Sequence, residues 1–353
     1  MPTAVETIRP ASIRLAERFS LGPLALGSSL ASLLLVILLG TLTWTGTLGQ
    51  LISGEVPEWR GQDFRVGVVL CLILAYLPAS LLYIVRLAQR SLRELATVLD
   101  LQADELEDQI AELECVGRKE YLLAGALGLL SLLVIAFLPE AVVTRDFDLS
   151  RLDFLTFSHR VMSAFIGFLS GSGMFVTVRV SRRLAALTAE RARTPLLESG
   201  RWLPLGKLGL GNAFVSAGMI SLLLLLVPDR EAGVGMALLL AGLVVGISVL
   251  GGLGLVMPLR GVRERIRQAK RREIEACDER ITLLRGMWDE PPGSPGESGK
   301  LADVIAYRAL IDDVSEWPID LPQLGRFTLV FGLPLASWVA AAFVERLIDI
   351  AIG

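Results

Sequence analysis

VGVVLCLILAYLPASLLYIV, residues 66–85, runs for twenty positions without an Asp, Glu, Lys or Arg, and Arg86 closes it. A helix rises about 1.5 Å per residue, so this stretch crosses the roughly 30 Å hydrocarbon core of a bilayer once. Six further runs share the property: 19–54, 121–139, 161–178, 208–228, 232–259 and 327–344. Spans are therefore expected at 24–46, 66–86, 120–138, 159–178, 209–228, 233–257 and 324–345. The apolar run after Arg18 is longer than the apolar region of a signal peptide, so it is read as a first span. With 53% hydrophobic residues in 353 and a mean hydropathy of +0.58, the chain is too apolar for a water-soluble domain.

The charges outside the runs set the orientation. Of the 34 Lys and Arg, twenty-seven fall on the N-terminal tail and the connections after the second, fourth and sixth runs, against seven elsewhere. Positive residues stay in the cytoplasm, which puts the N-terminus inside and the C-terminus outside. The expected fold is all-α: a seven-span transmembrane helical bundle with long cytosolic helical extensions, in the inner membrane of a bacterium. Trp44, Trp59 and Trp338 fall toward outer span ends, Trp202 and Trp317 near the inner boundary, where amphipathic rings settle. Cys71 lies inside the second span, and Cys115 and Cys277 on cytosolic helices, where thiols stay reduced.

The chain divides into a tail with two spans (1–86), a cytosolic heptad helix (87–119), spans three and four (120–178), a cytosolic connection (179–208), spans five and six (209–257), a basic helix with linker and elbow (258–323), and the last span (324–353). In the heptad helix Leu92, Leu99, Leu106 and Leu113 recur every seven residues, the seam of a coiled coil. Its later part is acidic, from Asp100 to Glu114. After the sixth span stand Arg260, Arg263, Arg265, Arg267, Lys270, Arg271 and Arg272. An acidic and a basic helix on one side are expected to pair, within a chain or between copies. The Pro/Gly/Ser segment 289–299 reads as a linker. An amphipathic helix is expected at 300–316, ended by Trp317-Pro318, with Asp320 capping the last span.

Within the membrane, Ser163, Gly167 and Gly171 stand four apart, as do Gly332, Ala336 and Ala340, and Gly242 and Gly246. Such spacing lets helix backbones approach closely. Pro334 is expected to kink the last span. The single histidine, His159, sits at the outer mouth of span four. One histidine and three scattered cysteines cannot assemble a metal site, and no phosphate loop or nucleophile motif occurs. The chain is expected to be no enzyme, to bind no cofactor and no nucleic acid, and to have as partners the lipid bilayer, further copies of itself and a cytosolic protein.

YRALIDDVSEWPIDLPQLGRFTLVFGLPLASWVAAAFVERL (307–347) and MPLRGVRERIRQAKRREI (257–274) resemble a group of bacterial polytopic membrane proteins to which no activity is attached. In topology the chain is similar to the insect chemoreceptor-type seven-helix channels, which share seven spans, an inside N-terminus and a cytosolic helical anchor. The long connection between spans two and three departs from that pattern. That resemblance implies an assembly of four subunits with the last span lining a pore. Arg326, Thr328, Pro334, Ser337, Glu345 and Arg346 are then the candidate pore or gating residues. The leading expectation is a homo-oligomeric ion channel; a membrane scaffold or sensor acting through its cytosolic helices comes next, and a small-molecule transporter third, set back by the missing intramembrane charge.

Overall fold

The computed structural model describes residues 7–53, 58–137, 154–191, 199–226, 234–286 and 296–317, with Gly325, Arg326, Thr328, Leu329, Gly332 and Ala336 from the last apolar run. In chain order come β1 (Thr7–Ile8), α1 (Ala11–Arg18), α2 (Pro23–Trp44), α3 (Thr47–Ser53), α4 (Glu58–Leu95), α5 (Ala103–Glu114), β2 (Val116–Gly117), α6 (Arg118–Phe137) and α7 (Phe154–Arg191). A 3-10 turn at Ser199–Trp202 leads into α8 (Leu203–Leu224), followed by α9 (Val234–Gly286) and α10 (Gly296–Asp313). The fold is all-α, apart from the antiparallel pairing of β1 with β2. Among the described residues, Pro23–Trp44, Phe64–Leu95, Phe157–Arg191, Leu203–Leu224 and Ala241–Arg285 are long and apolar enough to cross a bilayer. Helix α6 occupies the third uncharged run.

The bundle is built by the contacts of α2 with α4, α6 with α7, α4 with α7 and α8, and α9 with α7 and α8. Its outer surface is apolar: Leu24, Leu33, Val36 and Ile37 of α2, Leu123 and Leu127 of α6, and Val245 and Val249 of α9 are all exposed. Apolar faces of this extent on helices without a polar side belong against lipid.

Helices α4, α7 and α9 run past the apolar zone at the same end. At 53 residues α9 is roughly 80 Å long, well over twice the hydrocarbon thickness. Around these extensions pack α1, α5, β1–β2 and the start of α8, and the largest hydrophobic core lies there, joining Ile13, Leu92, Leu99, Leu113, Val180, Leu184, Trp202, Leu205, Leu259 and Ile266. The basic segments of the sequence thus gather at one end, on a core packed like that of a soluble domain.

The straight heptad helix is not formed. Helix α4 stops at Leu95, a tight turn follows, and α5 folds back antiparallel to it. Asp100 takes a left-handed φ of 53°, and the Leu101 amide donates to the Ala96 carbonyl, the bond that closes a Schellman stop. Leu92, Leu99 and Leu113 are buried in the main core and Leu106 packs at its edge, so the seven-residue repeat serves a hairpin, not a coiled coil. Helix α1 ends the same way, with Ser20 at φ 51° and Leu21 donating to Ala16. Trp202 is 1% exposed, a core residue and not an interfacial ring. Helix α10 begins at Gly296, so the end of the expected linker joins it.

Candidate functional site at the basic end of the bundle

The acids of α5 find their partners on α4, α7 and the N-terminal segment. Arg183 of α7 lies 2.7 Å from Glu112 and also donates to Gln109. Arg191 pairs with Glu105 at 2.6 Å, and Arg93 with Glu107 at 3.9 Å. Gln89 donates to Glu114, which also faces Arg9 at 3.6 Å. The Cys115 thiol, Glu114 and Glu17 hold the Arg9 guanidinium charged more firmly than usual. Helix α5 therefore clamps the ends of α4 and α7. Within the chain, the acids of α5 thus answer bases of α4, α7 and the N-terminal segment in place of the basic stretch of α9.

The bases of α9 have two other tasks. Arg265 donates through Nε to the Ala189 carbonyl and through Nη2 to Glu190, 3.1 Å away. These are among the last carbonyls of α7, which have no partner within their own helix. Arginine from a neighbouring helix thus caps α7 where its chain leaves the core.

The second task is to seat α10. Lys270 donates to the carbonyls of Asp312 and of Val314, the latter at 3.1 Å. Arg263 stacks over the Trp317 ring, 4.4 Å from its centroid, and lies 3.9 Å from Glu316. Farther out, Arg308 meets Asp278 at 2.7 Å. The two helices run antiparallel, with Ile311 fully buried between them. The chain is thereby fastened to α9 at 312–317, with nine residues, 318–326, between this point and the last apolar run. This fastening is the described part of the expected elbow.

Inside the bundle, Gly167 and Gly171 of α7 cross α6 at Ala124 and Gly128, and the Phe168 ring lies over Gly125. A Cβ on Gly171 would lie 2.9 Å from the Gly128 Cα and against the Ala124 carbonyl. Ser163 lies a turn away on the same helix, half-buried. The small-residue spacing thus serves packing within one chain. Gly242, Gly246 and Gly332 have nothing within 4 Å of where a Cβ would sit, and Ala336 is exposed.

Polar side chains also stitch α8 to its neighbours. Asn212, 3% exposed, donates to the Gly254 carbonyl of α9 at 3.0 Å, and the Tyr76 hydroxyl donates to Val215 at 2.8 Å. His159 is half-buried, with its Nε2 against Gly67 of α4.

No family model, curated protein or solved structure matches this chain.

Of the residues singled out from sequence, the structure places Leu92, Leu99, Leu106 and Leu113 around one core, and Arg263 at the elbow; Arg267 lies on the same helix, half-buried. Arg326 and Thr328 are helical and exposed. Pro334, Ser337, Ala340, Glu345 and Arg346 lie outside the described residues. Asp312 and Glu316 escaped sequence reading, and Arg265 and Lys270 were read only as members of the basic run, since each partner is more than forty residues away. Ala124 and Gly128 were legible, at the same four-residue spacing as Gly167 and Gly171.

Proposed function

We propose that the protein is a homo-oligomeric ion channel of the bacterial inner membrane, with its basic end in the cytoplasm and its last apolar run, 327–344, beside the conduction path. The observation that carries this reading is the elbow. Arg263 and Lys270 fasten 312–317 to α9, so that a tilt of α9 moves the foot of the next segment. The folded basic end supplies the rigid base such a lever requires. The chemistry of the runs fits as well, since a pore lined by polar and small residues, with Arg326 at one end and Glu345 and Arg346 at the other, needs no titrating group at mid-bilayer.

The test is reconstitution of the full chain into liposomes with an ion-flux or single-channel readout. Flux is expected, Glu345→Gln alters its selectivity, and Arg263→Ala changes the open probability without reducing incorporation. A monomer in native mass spectrometry that carries no flux would sink the proposal.

One feature favours a second reading, a scaffold or sensor working through the cytosolic arm. Ile305, Tyr307 and Leu310 of α10 and Leu283 of α9 are exposed on a segment beyond the apolar zone. Under that reading, Ile305→Asp with Leu310→Asp abolishes a protein contact while leaving any flux intact.

A further inference from the structure

Helix α1 presents two different faces. Ser12, Ile13 and Ala16 are buried against the main core. The opposite side carries Arg14 and Arg18, four apart and both exposed, with Leu15 and Phe19 along one flank. Phe19 is 62% exposed and Leu24, at the start of α2, is 90% exposed. Only four residues, 19–22, separate α1 from α2, so α1 lies at the level where α2 enters the hydrocarbon.

Among the described residues, no acid compensates the charge on this face. The one acid of the helix, Glu17, is held by Arg9 at 3.1 Å, off to the other flank. Arg14 has no ion-pair partner among the described residues, and Arg18 meets only the Phe19 ring, 5.9 Å from its centroid. The main core fixes the orientation of the helix, so the stripe cannot turn inward. A helix with one dry face, a basic outer stripe and an aromatic flank at bilayer level matches the pattern of interfacial anchors.

We propose that α1 is such an anchor, and that Arg14 and Arg18, flanked by Leu15 and Phe19, bind the headgroup of an anionic phospholipid in the leaflet that α2 enters. The guanidinium groups meet the phosphodiester by charge-assisted hydrogen bonds, and Phe19 and Leu24 lie along the upper acyl chain. The continuous apolar surface from Phe19 to α2 selects a lipid over a free phosphate.

The test titrates the full chain in detergent micelles with phosphatidylglycerol and with phosphatidylcholine carrying the same fluorescent acyl chain. Phosphatidylglycerol is expected to bind more tightly. Arg14→Gln with Arg18→Gln should weaken that lipid by roughly thirty-fold, from the attraction of two bases near an anionic surface, and should weaken phosphatidylcholine, whose phosphodiester is offset by its own choline, far less. Arg271→Gln with Arg272→Gln, exposed far out on α9, should change neither. Equal affinity of the unmodified chain for the two lipids, or a double variant with unchanged phosphatidylglycerol binding, overturns the proposal.

A second arm needs no arginine variant. At about 1 M salt, where the Debye length is about 3 Å, the preference for phosphatidylglycerol should vanish, and Phe19→Ala should weaken both lipids alike. A preference that survives the salt, or a Phe19→Ala variant that binds both lipids as tightly as the parent, also refutes it.

Discussion

Two glycines two residues apart on α7 should respond to alanine with opposite signs. At Gly171 a Cβ would lie 2.9 Å from the Gly128 Cα and 3.0 Å from its amide nitrogen, with the Ala124 carbonyl nearer still. All of these are backbone atoms, so no side-chain rotation relieves the contact. Ordinary contacts of a Cβ lie at 3.4–4 Å and the Ala124 carbonyl would stand about 1 Å inside that range, so α6 and α7 must part locally by about 1 Å. A gap of that size forfeits a quarter to a half of the dispersion energy along the crossing, and overpacking of this kind costs about 1–3 kcal/mol. At Gly173 nothing lies within 4 Å, so alanine there gains helix propensity, up to about 1 kcal/mol. Reversible unfolding in mixed detergent micelles, followed by circular dichroism, should place Gly171→Ala below the parent and Gly173→Ala level with it or above. Equal stabilities for the two variants would refute the close crossing.

Trp202→Ala removes the largest fully buried side chain of the basic end and should cost about 3–5 kcal/mol in the same measurement. Arg183 and Glu112, with side chains 39% and 41% exposed, should show a coupling below about 1 kcal/mol in a double-mutant cycle, despite their short distance. Lys270→Met leaves the Asp312 and Val314 carbonyls without their donor, so amide exchange at 311–317 should quicken before the rest of the bundle opens. Maleimide should label Cys115, which is part-exposed, ahead of the buried Cys71 and Cys277 in the folded protein.

The uncharged runs and the one-sided bases were legible because both obey local rules. A backbone in hydrocarbon must satisfy its own hydrogen bonds, so an apolar run of sufficient length is a helix wherever it stands in the chain. Charge beside such a run marks its end. These two rules located the apolar helices α2, α4, α6, α7, α8 and α9 and the basic end without knowledge of any contact. The seven-residue spacing of Leu92, Leu99 and Leu113 was equally visible, yet two shapes satisfy it. An Asp at position 100, where a glycine would have announced a stop, concealed the turn.

Partner choice was not legible at all. The acidic helix and the basic helix invite each other by composition, but Coulomb attraction between exposed groups is weak and indifferent to which base answers which acid. Packing decides. Once α5 folds back on α4, its acids reach Arg183 and Arg191, and the bases of α9 are left to cap α7 and hold α10. The sequence by itself determined that this is a bundle of apolar helices with one basic end. Only the tertiary structure decided where the chain bends at that end and which charges close it, because those choices rest on contacts between residues far apart in the chain and on the shape of a shared core.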